Sequence, residues 1–184
     1  MFERYTEQAR RAIFFARYQA QQFGSKRIEP AHLLLGLLHD SQSSANLLFG
    51  LNNHANKFRL KIAEAYPPAQ PLPKTAELPL SQSNKRVLVY TAEEASRLGS
   101  DPIDTQHIVL GLLREKDPVT SALLLEAGVE LKSARDLVAQ AMGPTRSSLA
   151  PEAERKTLPP VVGVALIFLL LFVIGWIINL VLGK

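Results

Sequence analysis

The chain has 184 residues, no cysteine, 47% hydrophobic residues and a formal net charge of +4. At roughly 100 to 200 residues per domain, that length holds one compact domain and an appendage and excludes a multidomain motor. Zero cysteine excludes disulfides, thiol nucleophiles and thiolate zinc sites, and it fits a reducing compartment.

From the N-terminus, Ala9, Ala12, Ile13, Ala16, Ala20 and Phe23 recur every three or four residues. This spacing predicts a first helix with an apolar stripe and with Arg10, Arg11, Arg17, Gln21 and Gln22 on its other faces. Gly24 ends it, as a residue able to take left-handed angles. Glu29 and Pro30 open a second helix, where the missing proline N–H is harmless. Its run from His32 to Leu38 is apolar nearly all round and predicts a central position. A short third helix follows near Ser44–Phe49 and a longer fourth near Asn53–Ala65. Tyr66–Pro79 holds five prolines, which excludes a helix and predicts a semi-extended tether.

The same pattern then returns. Sliding the sequence on itself by 75 residues aligns Thr6–Leu38 with Ser81–Leu113 without a gap, and 10 of 33 positions are identical, among them Gly24/Gly99, His32/His107 and Gly36/Gly111. After a two-residue shift, Ser44-Ala45 and Leu47-Leu48 match Ser121-Ala122 and Leu124-Leu125. Such self-similarity implies two copies of one supersecondary unit, each burying apolar surface on the other. The last two helices of the second copy are expected near Thr120–Ala127 and Leu131–Met142. No convincing strand pattern occurs. The expected fold class is therefore all-α: two pseudo-symmetric four-helix repeats, plus one C-terminal transmembrane helix. The expected domain is 1–143, with repeat one at 2–66, a Pro-rich tether at 67–79 and repeat two at 80–143.

A second Pro-rich linker, 144–160, precedes VVGVALIFLLLFVIGWIINLVL at 161–182, a run of 22 residues without a charge. At 1.5 Å per residue it would make roughly 33 Å of helix, enough for a hydrocarbon core of about 30 Å. Arg146, Arg155 and Lys156 precede the run and only Lys184 follows it as a charge. The positive-inside bias then places the N-terminal body in the cytoplasm, as a single-pass protein of a membrane such as the bacterial inner membrane. Without Lys184, residues 1–160 carry 20 Lys+Arg against 17 Asp+Glu, a nearly balanced +3 that predicts no nucleic-acid stripe.

The paired His32 and His107 are the most tempting chemistry. Each lies in an apolar helix with no carboxylate at i+3 or i+4, which favours a buried histidine with a local hydrogen bond over a metal ligand. No HExxH, GxSxG or GxxxxGK[ST] pattern is present. No catalytic, cofactor-binding or metal-binding residue is assigned, and no enzyme activity is expected. Glu29 and Asp104 are read as helix caps. Arg10, Arg11, Arg17, Lys85, Arg86 and Arg97 lie on the two equivalent first helices, interleaved with Glu7, Glu93 and Glu94, which favours a solvated surface over a nucleic-acid face.

The opening MFERYTEQARRAIFFAR, then IEPAHLLLGLL at 28–38 and its echo IDTQHIVLGLL at 103–113, resemble the double repeat at the N-terminus of Clp unfoldases, nearest the ClpC type. The resemblance covers nearly all of 1–143. It implies an all-α double repeat that receives substrates or adaptor proteins on an ATP-driven ring. In that family an acidic residue normally precedes the repeated His, and in the ClpC type this pair contributes to binding phosphorylated arginine. Here Ala31 and Gln106 occupy those positions, and neither offers a carboxylate to a guanidinium, so that recognition is not carried over. Binding to protein partners (clients, adaptors or Clp components) is the expected function, with Glu29, Ala31, Asp104, Gln106, Arg10, Arg11, Lys85 and Arg86 as the candidate contact residues and the membrane engaged through 161–182. A membrane-associated nucleic-acid or regulatory binder using the basic first-helix faces is the alternative, and self-association is a third reading.

Overall fold

The computed structural model describes residues 2–39, 43–49 and 54–143. Eight helices are found among them: α1 (Glu7–Gln22), α2 (Pro30–Leu37), α3 (Asn46–Phe49), α4 (Ala55–Ala65), α5 (Gln82–Arg97), α6 (Thr105–Glu115), α7 (Pro118–Glu126) and α8 (Leu131–Met142). The linker at 144–160 and the apolar run at 161–182 lie outside the described residues. Among the described residues, no helix is long and apolar enough to cross a membrane.

Each repeat starts with a helix capped by a hydroxyl. Thr6 Oγ1 accepts from the Ala9 amide at 3.1 Å, and Ser81 Oγ, its equivalent, accepts from the Asn84 amide at 3.1 Å. Both helices end the same way. Gly24 and Gly99 take φ values of +64° and +69°. The next amide, of Ser25 or Ser100, reaches back to the carbonyl of Ala20 or Ala95 at 2.9 and 2.8 Å, so the last carbonyls are satisfied by a left-handed glycine turn.

The buried stripe of α1 is Ala9, Ala12, Ala16 and Ala20, small residues that let α2 approach closely. Gly36 of α2 sits on this stripe, where an added Cβ would stand 2.2 Å from the Ala12 carbonyl oxygen and 2.8 Å from the Ala16 nitrogen. Repeat two reproduces the contact between Gly111 and α5. A Cβ there would lie 2.4 Å from Thr91 Oγ1 and 2.7 Å from the Val87 carbonyl oxygen.

The repeats then close on each other reciprocally. Tyr5 pairs with Ile103 and Ile28 with Leu80 as isolated bridges related by the 75-residue shift. The Thr6 amide donates to the Ile103 carbonyl at 2.9 Å, and the Ser81 amide to the Ile28 carbonyl at 3.1 Å. Helices α2 and α6 meet in the centre. The short third helix of each repeat leans on the other repeat, α3 against α6 and α8, and α7 against α2 and α4. Lys57 and Lys61 of α4 both hold Glu126 of α7, and their hydrogen bonds bring its carboxyl down to about 2.

Two polar residues depart from their expected surroundings. Gln21, expected on an outer face, is buried together with Gln19. Arg59 donates to Gln19 Oε1, and Gln21 Nε2 donates to the Lys74 carbonyl at 3.1 Å. Glu94, expected among solvated charges, is fully buried, where Arg135 donates two hydrogen bonds at 2.7 and 2.8 Å and Arg114 one at 3.1 Å. Burial alone pushes the Glu94 carboxyl up. The hydrogen bonds and charge of Arg135, with Arg114 and Arg97, outweigh this and hold it below the usual carboxylate range.

The tether is also more ordered than a spacer. The Ala69 amide donates to the Phe23 carbonyl and the Leu72 amide to the Gln21 carbonyl, each at 3.0 Å, while Arg17 donates to the Ala76 carbonyl at 2.8 Å. It therefore runs along the C-terminal half of α1 and satisfies carbonyls that a helix end leaves bare.

The histidines open the central helices. The Glu29 amide donates to His32 Nδ1 at 3.0 Å, and the Asp104 amide donates to His107 Nδ1 at 3.0 Å. Accepting at Nδ1 places the proton of the neutral ring on Nε2. In His32 that atom lies 3.3 Å from Ser25 Oγ. In His107 it has no partner, because the equivalent Ser100 hydroxyl donates to the Pro102 carbonyl instead. Burial lowers His32 to about 4 and lowers His107 as well, against the opposing charges of Asp104 and Glu94.

Two outcomes follow for stability. Gly36→Ala should destabilise the domain by about 3 kcal/mol and Gly111→Ala by less, because one clash meets two backbone atoms and the other first meets a side chain. Gly128→Ala, which meets no atom within 4 Å but sits at φ +73°, should cost about 1 kcal/mol, read from urea unfolding midpoints. Both histidines bind a proton more weakly folded than unfolded, so their contribution is complete above pH 6.5 and is lost as pH falls below it, for His32 toward about 4. For His32 the loss is roughly 3 kcal/mol. Unfolding midpoints should fall across that window, and His32→Gln with His107→Gln should flatten the slope.

Candidate functional site

The candidate contact residues separate into distinct environments. Asp104 is consumed locally: Thr6 Oγ1 donates to Oδ1 at 2.8 Å, Ser44 Oγ to Oδ2 at 2.6 Å, and the Thr105 amide to Oδ1 at 2.8 Å. Glu29 occupies the same N-cap position at the start of α2. Ala31 is fully buried and Gln106 is 8% exposed, so both lie behind the caps and out of reach of a partner. Arg10 donates to the Tyr5 carbonyl at 2.7 Å, tying the chain entry to α1. Arg86 clamps Glu115 through Nε and Nη2. Arg11 and Lys85 are exposed.

These basic residues stand on two helices that do not pack on each other. Helix α1 packs on α2 and α6, and α5 on α6 and α2, and α1 and α5 make no contact with each other. Arg10 and Arg11 therefore stand on one first helix while Lys85 and Arg86 stand on another. Lys85 alone joins a concave site.

That site is a cleft of about 560 Å³ at the junction of the repeats, where the segment ahead of α1 crosses to the second repeat. Phe2, Leu80, Leu88, Val89 and Ile103 give it an apolar lining, with Lys85 at its side. The reciprocal bridges build it, because Tyr5 is held against Ile103 and carries Phe2 with it, their rings edge to face at 5.1 Å. Val89 is 56% exposed although it is a large apolar residue on α5. Glu3 and Arg4 join Lys85 as the charged members of the lining, and a concave, largely apolar surface of this kind suits an apolar anchor from a partner better than a reaction. The titratable groups that might do chemistry are engaged in structure: the histidines as caps, Glu94 between arginines and Asp104 among hydroxyls. Among the described residues no group of His, Asp and Glu is placed to hold a metal.

A second groove, of about 590 Å³, lies along α1 in repeat one, with Phe14, Phe15, Tyr18 and His39 on one side and Lys74 of the tether on the other. Sequence reasoning assigned none of its aromatics. The available signal was Phe14 and Tyr18, four residues apart and off the alanine stripe, which a single apolar face does not require. In the cleft, Phe2 and Leu80 were missed because residues far apart in sequence meet there only through the bridges.

Comparison with known proteins agrees with this architecture. The family described as the Clp repeat (R) N-terminal domain matches residues 4–127 and again 80–157. The chain is 30% identical over 185 residues to the negative regulator of genetic competence ClpC/MecB of Bacillus subtilis (strain 168), covering 89% of this chain and 23% of that protein. It is 31% identical over 149 residues to the chaperone protein ClpB of Oceanobacillus iheyensis, covering 80% and 18%. It thus spans about a fifth of the length of these curated relatives. Among solved structures, the N-terminal domain of the chaperone ClpD from Arabidopsis thaliana superposes with a TM-score of 0.61 at 27% identity, covering 78% of this chain and 97% of that one. The N-domain of ClpV from Vibrio cholerae shares the fold with a TM-score of 0.62 at 18% identity, covering 76% and 85%. With its double repeat, its glycine-mediated helix contacts and this likeness in sequence and fold, the chain belongs to the Clp repeat N-terminal domain family.

Proposed function

We propose that the chain is a membrane-tethered, non-enzymatic protein-binding module that captures client proteins, adaptors or components of a Clp chaperone or protease at the cytoplasmic membrane face. The observation that carries the reading is the apolar cleft at the repeat junction, with Val89 exposed in it and Lys85 beside it. Family membership supports the class of partner, since relatives include an ATP-binding subunit of the ATP-dependent Clp protease in Guillardia theta and the chaperone ClpB. The uncharged run at 161–182 supports the tether, and the linker before it would let the domain stand off the bilayer. The nucleic-acid alternative is weakened by Arg86, whose guanidinium is committed to Glu115.

Two experiments test this. The full chain, extracted in mild detergent and immobilised, should enrich Clp components, adaptors or unfolded clients. Val89→Asp with Lys85→Glu should reduce that capture at least tenfold while leaving the unfolding midpoint within about 0.5 kcal/mol, as expected for exposed positions. Equal recovery on wild type and variant would remove the cleft, and no enrichment at all would remove the function. For the tether, deletion of 161–182 should release the protein from the membrane fraction, and a reporter at the N-terminus should read cytoplasm. A chain that stays soluble with the run intact, or a reporter on the far side, would overturn the topology.

A further inference from the structure

The two first helices are equivalent by the 75-residue shift, so each exposed position on α1 has a counterpart on α5 that serves the same fold. Phe14 corresponds to Val89, Arg17 to Ala92, Tyr18 to Glu93 and Gln21 to Ser96. The equivalent surface of α5 is an open shallow face made of Val89, Ala92, Glu93, Ser96 and Arg97. Aromatic residues at these outer positions are thus not needed to build the repeat. On α1 they are present and exposed, Phe14 at 66% and Tyr18 at 40%. Phe14 stands edge to face on Phe15 at 5.8 Å, and Phe15 stacks on His39 at 3.6 Å, which makes one continuous aromatic wall.

On this face the tether forms the second wall. The tether is hydrogen-bonded to the last turns of α1 through Ala69, Leu72, Lys74 and Ala76, and brings the Lys74 side chain to the rim. Among the described residues the lining holds two cations, Arg17 and Lys74, and no carboxylate. In repeat two the Tyr18 position is the acid Glu93, which is paired with Arg114 at 2.7 Å. The described groove is therefore aromatic, concave and positive, where the equivalent face of α5 is open, carries no aromatic side chain and is of mixed charge.

We infer that the α1 groove is a docking site for an acidic segment of a partner protein, which lays an apolar side chain on Phe14 and Tyr18 and a carboxylate against Arg17 and Lys74. This rests on the protein-binding reading above but uses a different face from the junction cleft. Concavity favours a peptide over a flat lipid surface, and the two cations of the described lining, Arg17 and Lys74, favour an acidic segment over a basic one. Exposed aromatic side chains supply most of the contact area at low entropic cost, with the cations setting the preference for sign.

The test uses the full chain in zwitterionic nanodiscs and fluorescein-labelled peptides that alternate aspartate with phenylalanine, with lysine-for-aspartate and alanine-for-phenylalanine counterparts. Anisotropy should show the acidic aromatic peptide binding at least tenfold tighter than either counterpart. Phe14→Val with Tyr18→Glu, which installs the repeat-two residues, should weaken it at least tenfold with no change in unfolding midpoint. Lys74→Glu, which leaves the aromatic wall and Arg17 untouched, should remove most of the preference for the acidic peptide. Equal binding of the lysine peptide, or no effect of either variant, would overturn the assignment. So would a concentration-dependent dimer abolished by the Phe14/Tyr18 variant, which would give the groove to a second copy. Binding to phosphatidylglycerol–phosphatidylcholine vesicles, lost in the same variant, with no peptide binding would give it to lipid. If peptide binding fails while capture sensitive to Val89→Asp persists, the groove assignment falls and the protein-binding reading stands.

Discussion

The structure depends on the seating of Gly36 on the backbone of α1, repeated by Gly111 on α5. With an added Cβ only 2.2 Å from the Ala12 carbonyl oxygen, no side chain fits at Gly36 unless the helices part. Everything larger follows from that separation. The alanine stripe of α1 makes sense only against a glycine, and α2, thus drawn in, is buried along its whole length. Dispersion contacts between small residues are individually weak, but they accumulate when two helix backbones lie this near.

Duplication then solves the problem that one such helix pair leaves. A four-helix unit of some 65 residues has too little interior to be secure alone. The two units share their centre through α2 and α6 and exchange their edges: each lends the segment before its first helix to the other, and each leans its short third helix on the other. The histidine caps belong to the same economy. An imidazole held neutral by burial accepts the amide of the cap residue and closes the open end of a central helix, at the cost of a group that acid can protonate.

Although both repeats share the same helix contacts, they differ in their buried polar groups and in their outer surfaces. Glu94 and its arginines have no acidic counterpart in repeat one, where the equivalent residue is Gln19 joined to Arg59. The tether runs along α1, where the exposed Phe14 and Tyr18 stand in place of Val89 and Glu93 on α5. The repeat junction, by contrast, makes an apolar cleft from residues of both units. A pseudo-symmetric frame with unequal faces is suited to engaging more than one kind of protein segment.

Much of the architecture is legible in the amino-acid order. Helical spacing, the stops at Gly24 and Gly99, the proline at the start of α2 and the shift by 75 residues together determine an all-α double repeat, because these signals act within a few bonds of the backbone. The role of His32 and His107 as locally bonded residues was equally readable, since the cap lies three residues away. The tertiary structure decided what long-range meetings control. Gln21 and Glu94 look like surface residues until Lys74 and Arg135, 53 and 41 residues distant, supply their partners. Ala31 and Gln106 look available until packing buries them. Periodicity tells which face of a helix is apolar, but the fate of a polar residue on another face depends on which remote group arrives there, and only the folded chain brings that group.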